Sequence, residues 1–408
     1  METLCRFFSV FCLLCHLVIN TTTALGSGLP SFNVDEKKIS VSGLSSGAFM
    51  AVQMHVAFSK TFTGAGIIAG GPYFCAKHDE IKEVNSRCLQ GKGLNYEDFI
   101  KETLVQAGKN TIDKPEYMKT DRVYLFSQNA DSKNHDQIVA PAVMDALNQY
   151  YMKFVDTVNI LYDNKLPGKP DNYYVAHGMP TNNLFFANTD PATHKPIDNC
   201  APDYIFNGVT FPHMGDDPWI YYCNFSLPAY MLNHIFGYDL APPAEKADGF
   251  MFQFDQLDFA DGIDSVEELN NHGIGTNGYL YVPKACAKGT ECSLHVALHG
   301  CEQFPEWHYL NDPSKPRFGD RFYDHIFNKI AEANNIIMLY PQAHNIGTNL
   351  VSGVNPKGCW EFWGFRNIKG DINNYYLKSG RQMAMIKKMI DQVKKGFSAF
   401  THQELPTK

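Results

Sequence analysis

The segment Ile39–Gln53, ISVSGLSSGAFMAVQ, constrains the fold of this 408-residue chain more than any other stretch. β-Branched residues lead into Gly43-Leu44-Ser45-Ser46-Gly47, and apolar residues at helical spacing follow directly. A sharp strand-to-helix turn needs glycines, because side chains at those places would clash, and it lifts the serine to the carboxyl edge of a sheet. The segment therefore predicts an α/β fold with Ser45 as a nucleophile. The alternative is a serine in an ordinary glycine-rich turn.

Apolar runs that alternate with helical patterns extend this prediction along the chain. Strands are predicted at Lys38–Ser42, Gly64–Ala69, Arg122–Phe126, Tyr173–Ala176, Phe250–Phe254, Tyr279–Val282, Leu294–Leu298 and Ile336–Tyr340. Helices are predicted at Ala48–Phe58, Pro141–Tyr151, Phe322–Asn334 and Tyr375–Lys395. This alternation favours a mostly parallel central sheet flanked by helices. Residues 76–120 are expected to be an insertion, and residues 180–245 to carry little regular structure.

A serine nucleophile also needs a histidine base and a carboxylate that orients it, and in α/β hydrolases these follow the serine in the order acid, histidine. Asp131 and Asp136 come after the third predicted strand, and His177 comes after the fourth. The chain order therefore predicts Ser45 and His177 as catalytic, with one of the two aspartates as the acid. A structural histidine at a strand end is the alternative for His177.

The dipeptide His299-Gly300, followed by Cys301, matches an oxyanion-loop signature, because it ends a predicted strand. Such loops normally precede the nucleophile, whereas this one lies in the second half of the chain. Reading the second half first restores the usual order, so the sequence predicts a circularly permuted α/β-hydrolase fold. An ordinary turn is one alternative, and a metal site using His295 and His299 is another.

Several segments carry a family resemblance, and together they span about residues 38–396. SGLSSGAFMAVQMHVAFSKTFTGAGIIAGGPYFCA resembles the nucleophile region of poly(3-hydroxybutyrate) depolymerases, and HGMPTN at 177–182 resembles their histidine loop. GYLYVPKAC and CSLHVALHGCEQ resemble their oxyanion region, and LYPQA and NPKGCWEFWGF match further blocks. Single-domain members of this family have the permuted fold.

The resemblance implies roles for individual residues. Ser45 would be the nucleophile and His177 the base, with the backbone amides of Ser46 and Cys301 as the oxyanion hole. Cys301 and Cys359 would be bridged, and Trp360 would line the subsite for a hydroxyacyl unit. The acid departs from the family pattern.

Two aspartates compete for the role of the acid. Asp136 matches an Asp-x-x-Val-x-Pro spacing into the helix at Pro141, whereas Asp131 matches the distance from the strand end. We favour Asp136; the other aspartate would then be a solvated loop residue.

Cysteine usage points to an oxidising compartment. Three of the eleven cysteines lie in the first fifteen residues, and the other eight are Cys75, Cys88, Cys200, Cys223, Cys286, Cys292, Cys301 and Cys359. Sequence alone does not define the pairing, and the simplest scheme joins neighbours in order. Zinc is the rival explanation, but none of these eight cysteines forms a CxxC pair. The sequon Asn224-Phe225-Ser226 predicts glycosylation in an exposed loop.

The N-terminus has the pattern of a secretory signal, with Arg6 ahead of the apolar run Phe7–Ile19 and small residues after it. We expect a signal peptide at residues 1–24, one catalytic domain with insertions at 25–408, and a secreted protein. No later apolar run is long enough for a bilayer, so stable membrane insertion is not expected. The net charge of −8 argues against nucleic-acid binding. The sequence does not specify an oligomeric state.

The sequence thus predicts a secreted serine esterase that hydrolyses poly(3-hydroxybutyrate) or its oligomers through an acyl-enzyme, with no cofactor or metal. A feruloyl or acetyl esterase, a lipase or a general carboxylesterase is the first alternative, since fold does not define substrate. A non-catalytic binding protein on a hydrolase fold is the second. The acidic residues Asp255, Asp258 and Asp261 lack EF-hand spacing and are expected to be a surface loop rather than a calcium site.

Overall fold

The core of the protein is a twisted sheet with helices on both faces. The computed structural model describes residues 28–78, 81–128, 136, 138–171, 173–182, 188–189, 196–197, 200, 204–206, 209–211, 219–305, 307, 326–346, 355–364 and 374–397. Asp131 and the predicted signal peptide lie outside these residues.

Strands and helices are numbered in chain order over the described residues. The strands are β1 (Val34–Leu44), β2 (Gly64–Ile68), β3 (Arg122–Phe126), β4 (Ile160–Asp163), β5 (Met179–Thr181), β6 (Asn188–Thr189), β7 (Pro196–Ile197), β8 (Tyr204–Phe206), β9 (Val209–Phe211), β10 (Ile220–Tyr222), β11 (Phe250–Asp255), β12 (Asn277–Val282), β13 (Cys292–Leu298) and β14 (Ile336–Tyr340). The α-helices are α1 (Ser46–Ala57), α2 (Ile81–Val84), α3 (Tyr96–Gly108), α4 (Pro141–Tyr151), α5 (Leu227–Ile235), α6 (Val266–Asn271), α7 (Asn328–Asn334) and α8 (Arg381–Val393). Shorter helical turns are the π-helix Asn85–Leu89 and the 3₁₀ turns Pro115–Thr120, Thr157–Asn159, Gln256–Phe259 and Cys286–Lys288.

Within the described residues, the central sheet has eight strands in the order β11-β12-β14-β13-β1-β2-β3-β4. β12 is antiparallel to both of its neighbours, and the other pairings are parallel. The four strands of the second half thus precede the nucleophile strand β1 in the sheet, which confirms the predicted permuted α/β-hydrolase fold. β1 is buried from Ile39 to Leu44 because helices cover both faces of a parallel sheet. Ile39, Val41 and Leu44 are all buried there.

β1 and β13 are direct neighbours, and this pairing positions the site. Val41 lies opposite Val296, and Gly43 lies opposite Leu298. Since the two strands are parallel, their carboxyl ends meet at the same edge of the sheet. Ser45 follows one end and His299 follows the other.

The predicted strand Tyr173–Ala176 is wrong, because this segment forms no strand. Ala176 N–H donates to Cys200 O at 3.0 Å, which ties the segment to a neighbouring loop instead of a sheet. The sheet edge beyond β3 is occupied by β4, which the sequence did not suggest. The region from 180 to 245 also holds more structure than expected, since α5 begins there after the N-cap Ser226.

The boundaries of two predicted helices also differ. Residues 375–380 form turns, and α8 starts only at Arg381, directly after Gly380. The described part of the helix predicted at Phe322–Asn334 is a short π-helical turn followed by α7. The predicted insertion at 76–120 contains α2, α3 and two shorter helical turns.

The eight cysteines downstream of the N-terminal segment form four disulfides, and each joins neighbours in order. The pairs are Cys75–Cys88, Cys200–Cys223, Cys286–Cys292 and Cys301–Cys359. Among the described residues, no helix combines the length and apolar character needed to span a bilayer.

The acidic residues at the end of β11 and just after it form hydrogen bonds and ion pairs with nearby groups of the protein. Asp255 Oδ1 accepts from Leu257 N–H at 2.8 Å and caps the turn Gln256–Phe259. Asp261 pairs with Lys388 of α8. Both contacts fit the surface-loop interpretation.

Candidate active site

Ser45 lies at the junction of β1 and α1 in a strained backbone conformation. Its φ is +57° and its ψ is −122°, a backbone conformation that residues other than glycine rarely adopt. Glycines on either side make this turn possible. A Cβ on Gly43 would lie 2.1 Å from Gly47 O, and a Cβ on Gly47 would lie 2.3 Å from both Leu298 O and His299 O. Ser45 N–H is anchored by Ile68 O at 2.9 Å.

A cavity of about 420 Å³ opens above this turn. Ser45, Ser46, His177 and Cys301 all line it, so the structure brings four sequence-predicted site residues to one place. Most of the remaining wall is apolar and is formed by Phe49, Leu89, Ile138, Trp219, Phe362 and Trp363. Phe49 and Phe362 stack with ring centroids 4.3 Å apart. The cavity can therefore hold an apolar chain next to a serine hydroxyl.

His177 and Asp136 form a buried pair. His177 Nδ1 lies 2.8 Å from Asp136 Oδ2. Asp136 Oδ1 accepts from two backbone amides, Ile138 N–H at 2.8 Å and Val139 N–H at 3.0 Å. These bonds hold the carboxylate in one orientation, so that it can fix the tautomer of His177 and stabilise an imidazolium.

Aromatic residues enclose this pair. The ring of Trp219 packs edge-on against His177 at 5.7 Å. Burial, with a smaller contribution from the charge of Asp136, raises the pKa of Tyr174 to about 12. Tyr174 is therefore a neutral phenol near neutral pH.

The loop after β13 runs along the opposite wall of the cavity. Cys301 is bridged to Cys359, and Glu302 N–H donates to Lys357 O at 2.7 Å. Glu302 has a positive φ of 64°, and its carboxylate lies 2.9 Å from Lys357 Nζ. The disulfide, the backbone bond and the ion pair together join the loop to the segment around residue 358.

Trp360 does not line the cavity, contrary to the role that the resemblance implied. Its side chain is fully buried, and its ring centroid lies 5.4 Å from that of His299. Its backbone N–H donates to Ser46 Oγ at 3.2 Å. Trp360 therefore packs beneath the loop that follows β13, and among the described residues Trp219 and Trp363 are the tryptophans that line the cavity.

Sequence reasoning missed both of these tryptophans. Trp363 lies in the quoted block NPKGCWEFWGF, three residues after Trp360, so the choice between them depended on side-chain direction. Trp219 lies in a segment with no periodic pattern, and no sequence signal pointed to it.

His295 and His299, the two histidines considered as metal ligands, both form hydrogen bonds within the protein. His295 Nδ1 lies 2.7 Å from Ser40 Oγ, and His295 Nε2 lies 2.7 Å from Ser42 Oγ. Burial lowers the pKa of His295 to about 3 and that of His299 to about 4, so both rings are neutral at ordinary pH.

The sequon residue Asn224 is exposed and has a φ of 46°.

Comparison with known proteins identifies relatives over almost the whole chain. No protein-family model matches. A poly(3-hydroxybutyrate) depolymerase of Delftia acidovorans is 35% identical over 378 residues, which is 91% of this chain and 63% of that protein. The chain thus spans less than two thirds of that relative. A polyhydroxybutyrate depolymerase of Talaromyces funiculosus is 30% identical over 391 residues, which is 93% of this chain and 96% of that protein.

Solved structures agree with this comparison. The crystal structure of a PHB depolymerase from Penicillium funiculosum matches with a TM-score of 0.67 and 29% identity. The match covers 91% of this chain and all of that one. A serine-to-alanine PHB depolymerase complexed with an R3HB trimer matches with the same TM-score and identity.

Proposed function

The chain belongs to the polyhydroxybutyrate depolymerase family, and we propose that it is a serine esterase that hydrolyses poly(3-hydroxybutyrate) or its oligomers. The observation that carries this proposal is the meeting of Ser45, His177 and Cys301 around one largely apolar cavity, with His177 paired to Asp136. Serine esterases need this combination of nucleophile, base and oriented acid.

The proposed reaction has two halves. Ser45 Oγ attacks the ester carbonyl carbon while His177 Nε2 takes its proton, and the amides of Ser46 and Cys301 stabilise the oxyanion. When the intermediate collapses, the alcohol end of the polymer leaves with the proton from His177, and the acyl group stays on Ser45. Water then attacks the acyl-enzyme with the same histidine as base, and a hydroxy acid is released. Asp136 holds the imidazole in place through its contact with Nδ1.

The substrate proposal has two supports. The relatives above are named for poly(3-hydroxybutyrate), and one solved neighbour is complexed with an R3HB trimer. The aromatic and aliphatic wall of the cavity also suits the methyl-bearing units of such a polyester. Feruloyl, acetyl or other soluble esters are the competing substrates.

The test is the release of soluble 3-hydroxybutyrate from amorphous polymer granules by wild type and by Ser45→Ala. We expect release by the wild type and a loss of at least about a thousandfold in the variant. Ser265→Ala is the matched control, since Ser265 caps α6 and does not line the cavity. Equal release by wild type and Ser45→Ala would refute Ser45 as nucleophile. Activity of the folded wild type on soluble esters alone would move the assignment to a general esterase.

We further propose that the protein is secreted, with a signal peptide at residues 1–24 and a single catalytic domain at 25–408. The four disulfides support an oxidising compartment. The exposed side chain of Asn224 supports glycosylation at that residue. Mass spectrometry of protein recovered from a eukaryotic culture medium tests secretion, cleavage after residue 24 and the glycan, with Asn224→Gln as the control for the glycan.

A further inference from the structure

His299 occupies a fixed position directly before the oxyanion loop. Its side chain is buried, and its ring makes two hydrogen bonds. Ala343 N–H donates to Nε2 at 3.1 Å, and Nδ1 lies 2.6 Å from Gly300 O. A backbone amide can only donate, so Nε2 must be the acceptor. The proton of the neutral ring is then on Nδ1, which donates to Gly300 O.

The acceptor of that bond belongs to the peptide group that also contains Cys301 N–H. A trans peptide is planar, and its C=O and N–H point in opposite directions. A donor that holds Gly300 O therefore sets the direction of Cys301 N–H as well. Cys301 lines the cavity beside Ser45. Hydrogen bonding to the carbonyl also polarises the same peptide group and strengthens its N–H as a donor.

We propose that His299 is a positioning residue that orients and polarises the Cys301 amide through its Nδ1–H bond to Gly300 O. The inference rests on the proposed function, in which that amide binds the oxyanion. His299 touches no substrate and exchanges no proton in the reaction. Its burial, which lowers its pKa to about 4, keeps the ring neutral and the Nε2 lone pair free for Ala343.

The other contacts of the loop hold different groups. Gln303 Oε1 accepts from Gly300 N–H at 2.6 Å, which fixes the preceding peptide. The Cys301 disulfide holds a side chain, and the Glu302–Lys357 contacts act one residue further on. Among the described residues, His299 therefore provides the bond that acts on the Gly300–Cys301 peptide itself.

Two substitutions test the roles of the two ring nitrogens separately. His299→Asn places an amide donor near the position of Nδ1 and removes the acceptor for Ala343. His299→Gln places an amide oxygen near the position of Nε2 and removes the donor for Gly300 O. Asn is one methylene shorter than Gln and leaves the larger gap at this buried position, so a purely structural role predicts the larger loss of both activity and thermal stability in His299→Asn. The readouts are kcat and KM for p-nitrophenyl butyrate, a soluble ester, together with the melting temperature.

We expect His299→Gln to lower kcat by roughly 10- to 100-fold with KM nearly unchanged, which is less than the loss of a whole oxyanion donor. We expect His299→Asn to retain most of kcat even if it melts earlier. Equal kcat losses in the two variants, or a loss confined to KM, would overturn the inference. A wild type whose hydrolysis does not depend on Ser45 would instead refute the proposed function.

Nitrogen-15 NMR of the wild-type imidazole tests the inference without any variant that must fold. We expect the signal of a protonated Nδ1 and an unprotonated Nε2 for His299 at neutral pH. The opposite tautomer would overturn the inference, because Nδ1 would then have no proton to donate to Gly300 O.

Discussion

Gly47 lies where the first turn of α1 passes the end of β13. A hydrogen is the largest group that fits there, since a Cβ would lie 2.3 Å from two carbonyl oxygens. The contact is with backbone, which cannot move aside as the end of a side chain can. The glycine of the motif therefore sets the distance between the strand that leads to Ser45 and the strand that leads to Cys301.

Replacing Gly47 with alanine should therefore separate the two strand ends. We expect Gly47→Ala to destabilise the fold by about 3 kcal/mol or more and to abolish esterase activity. Chemical denaturation measures the change in the free energy of unfolding. Gly108→Ala is the control, because Gly108 ends α3 with nothing within 4 Å of an added Cβ. That control should be neutral or stabilising by about 0.4–1 kcal/mol. A fully stable and active Gly47→Ala protein would contradict this account.

Substituting Asp136 and Asp131 separately by asparagine shows which of the two is the catalytic acid. Asp136→Asn keeps the size of the side chain but loses the charge that orients His177, so kcat should fall by about 10³- to 10⁴-fold. Asp131→Asn should leave kcat close to that of the wild type. Steady-state kinetics on a soluble ester distinguishes the two aspartates. A large loss in Asp131→Asn with an active Asp136→Asn would reverse the assignment.

β13 carries a disulfide near each end, and the two have different consequences. Cys286–Cys292 closes a separation of 6 residues before the strand, whereas Cys301–Cys359 closes 58 residues after it. Loop-closure entropy predicts a stabilisation of about 2 kcal/mol for the first and about 4 kcal/mol for the second. The second bridge also holds the loop that carries the Cys301 amide.

Removing each disulfide in turn distinguishes an effect on stability from an effect on activity. We expect the double variant Cys301→Ala/Cys359→Ala to lose kcat in addition to stability, because its loop is released next to Ser45. The matched variant Cys286→Ala/Cys292→Ala should melt earlier but keep its kcat at temperatures where it is folded. Activity and melting temperature measured on the same preparations test this difference. Equal kcat values in the two double variants would contradict it.

The predicted strand Tyr173–Ala176 shows where element prediction failed. Its aromatic and β-branched residues suit a strand, yet a strand also needs a partner, and the sheet edge there belongs to β4. Local β-propensity cannot show which of two candidate segments pairs with the strand β3. His177 nonetheless lies at the cavity, because a loop can carry a base as well as a strand end.

Buried neutral histidines give the folded protein a stability that depends on pH. Burial lowers the pKa of His295 to about 3 and that of His299 to about 4, against about 6.5 in an unfolded chain. Between these values the unfolded chain binds a proton that the folded protein does not. The free energy of unfolding must therefore fall as the pH drops below about 6.5, by about 1.4 kcal/mol per pH unit for each histidine.

Chemical denaturation between pH 7 and pH 5.5 should measure this slope. His295→Gln should reduce the change in the free energy of unfolding over this range by about 1.3 kcal/mol, whatever its effect on stability at pH 7, because the unfolded histidine is only partly protonated near pH 6.5. Burial raises the pKa of Asp121 and of Asp163, which acts in the opposite sense but only as the pH approaches the carboxylate range. A slope unaffected by His295→Gln would mean that this ring titrates normally in the folded protein.

The sequence by itself determined the local features of this protein. The glycines around Ser45 and most of the apolar strands depend on short-range sterics and on the spacing of residues, whereas the cysteines only offered pairing of neighbours as the simplest scheme. The serine, acid, histidine order pointed to Ser45 and His177 and left Asp131 and Asp136 as the two candidates for the acid. The family resemblance added roles to these positions.

Only the tertiary structure decided which side chains face the cavity. Trp360 and Trp363 are three residues apart, and packing against His299 buries the first while the second lines the cavity. Trp219 reaches His177 from a segment without any periodic signal. The bond between His299 and Gly300 O likewise depends on the ring orientation that Ala343 fixes from another loop. Side-chain direction is set by contacts between distant segments, and such contacts leave no trace in local spacing.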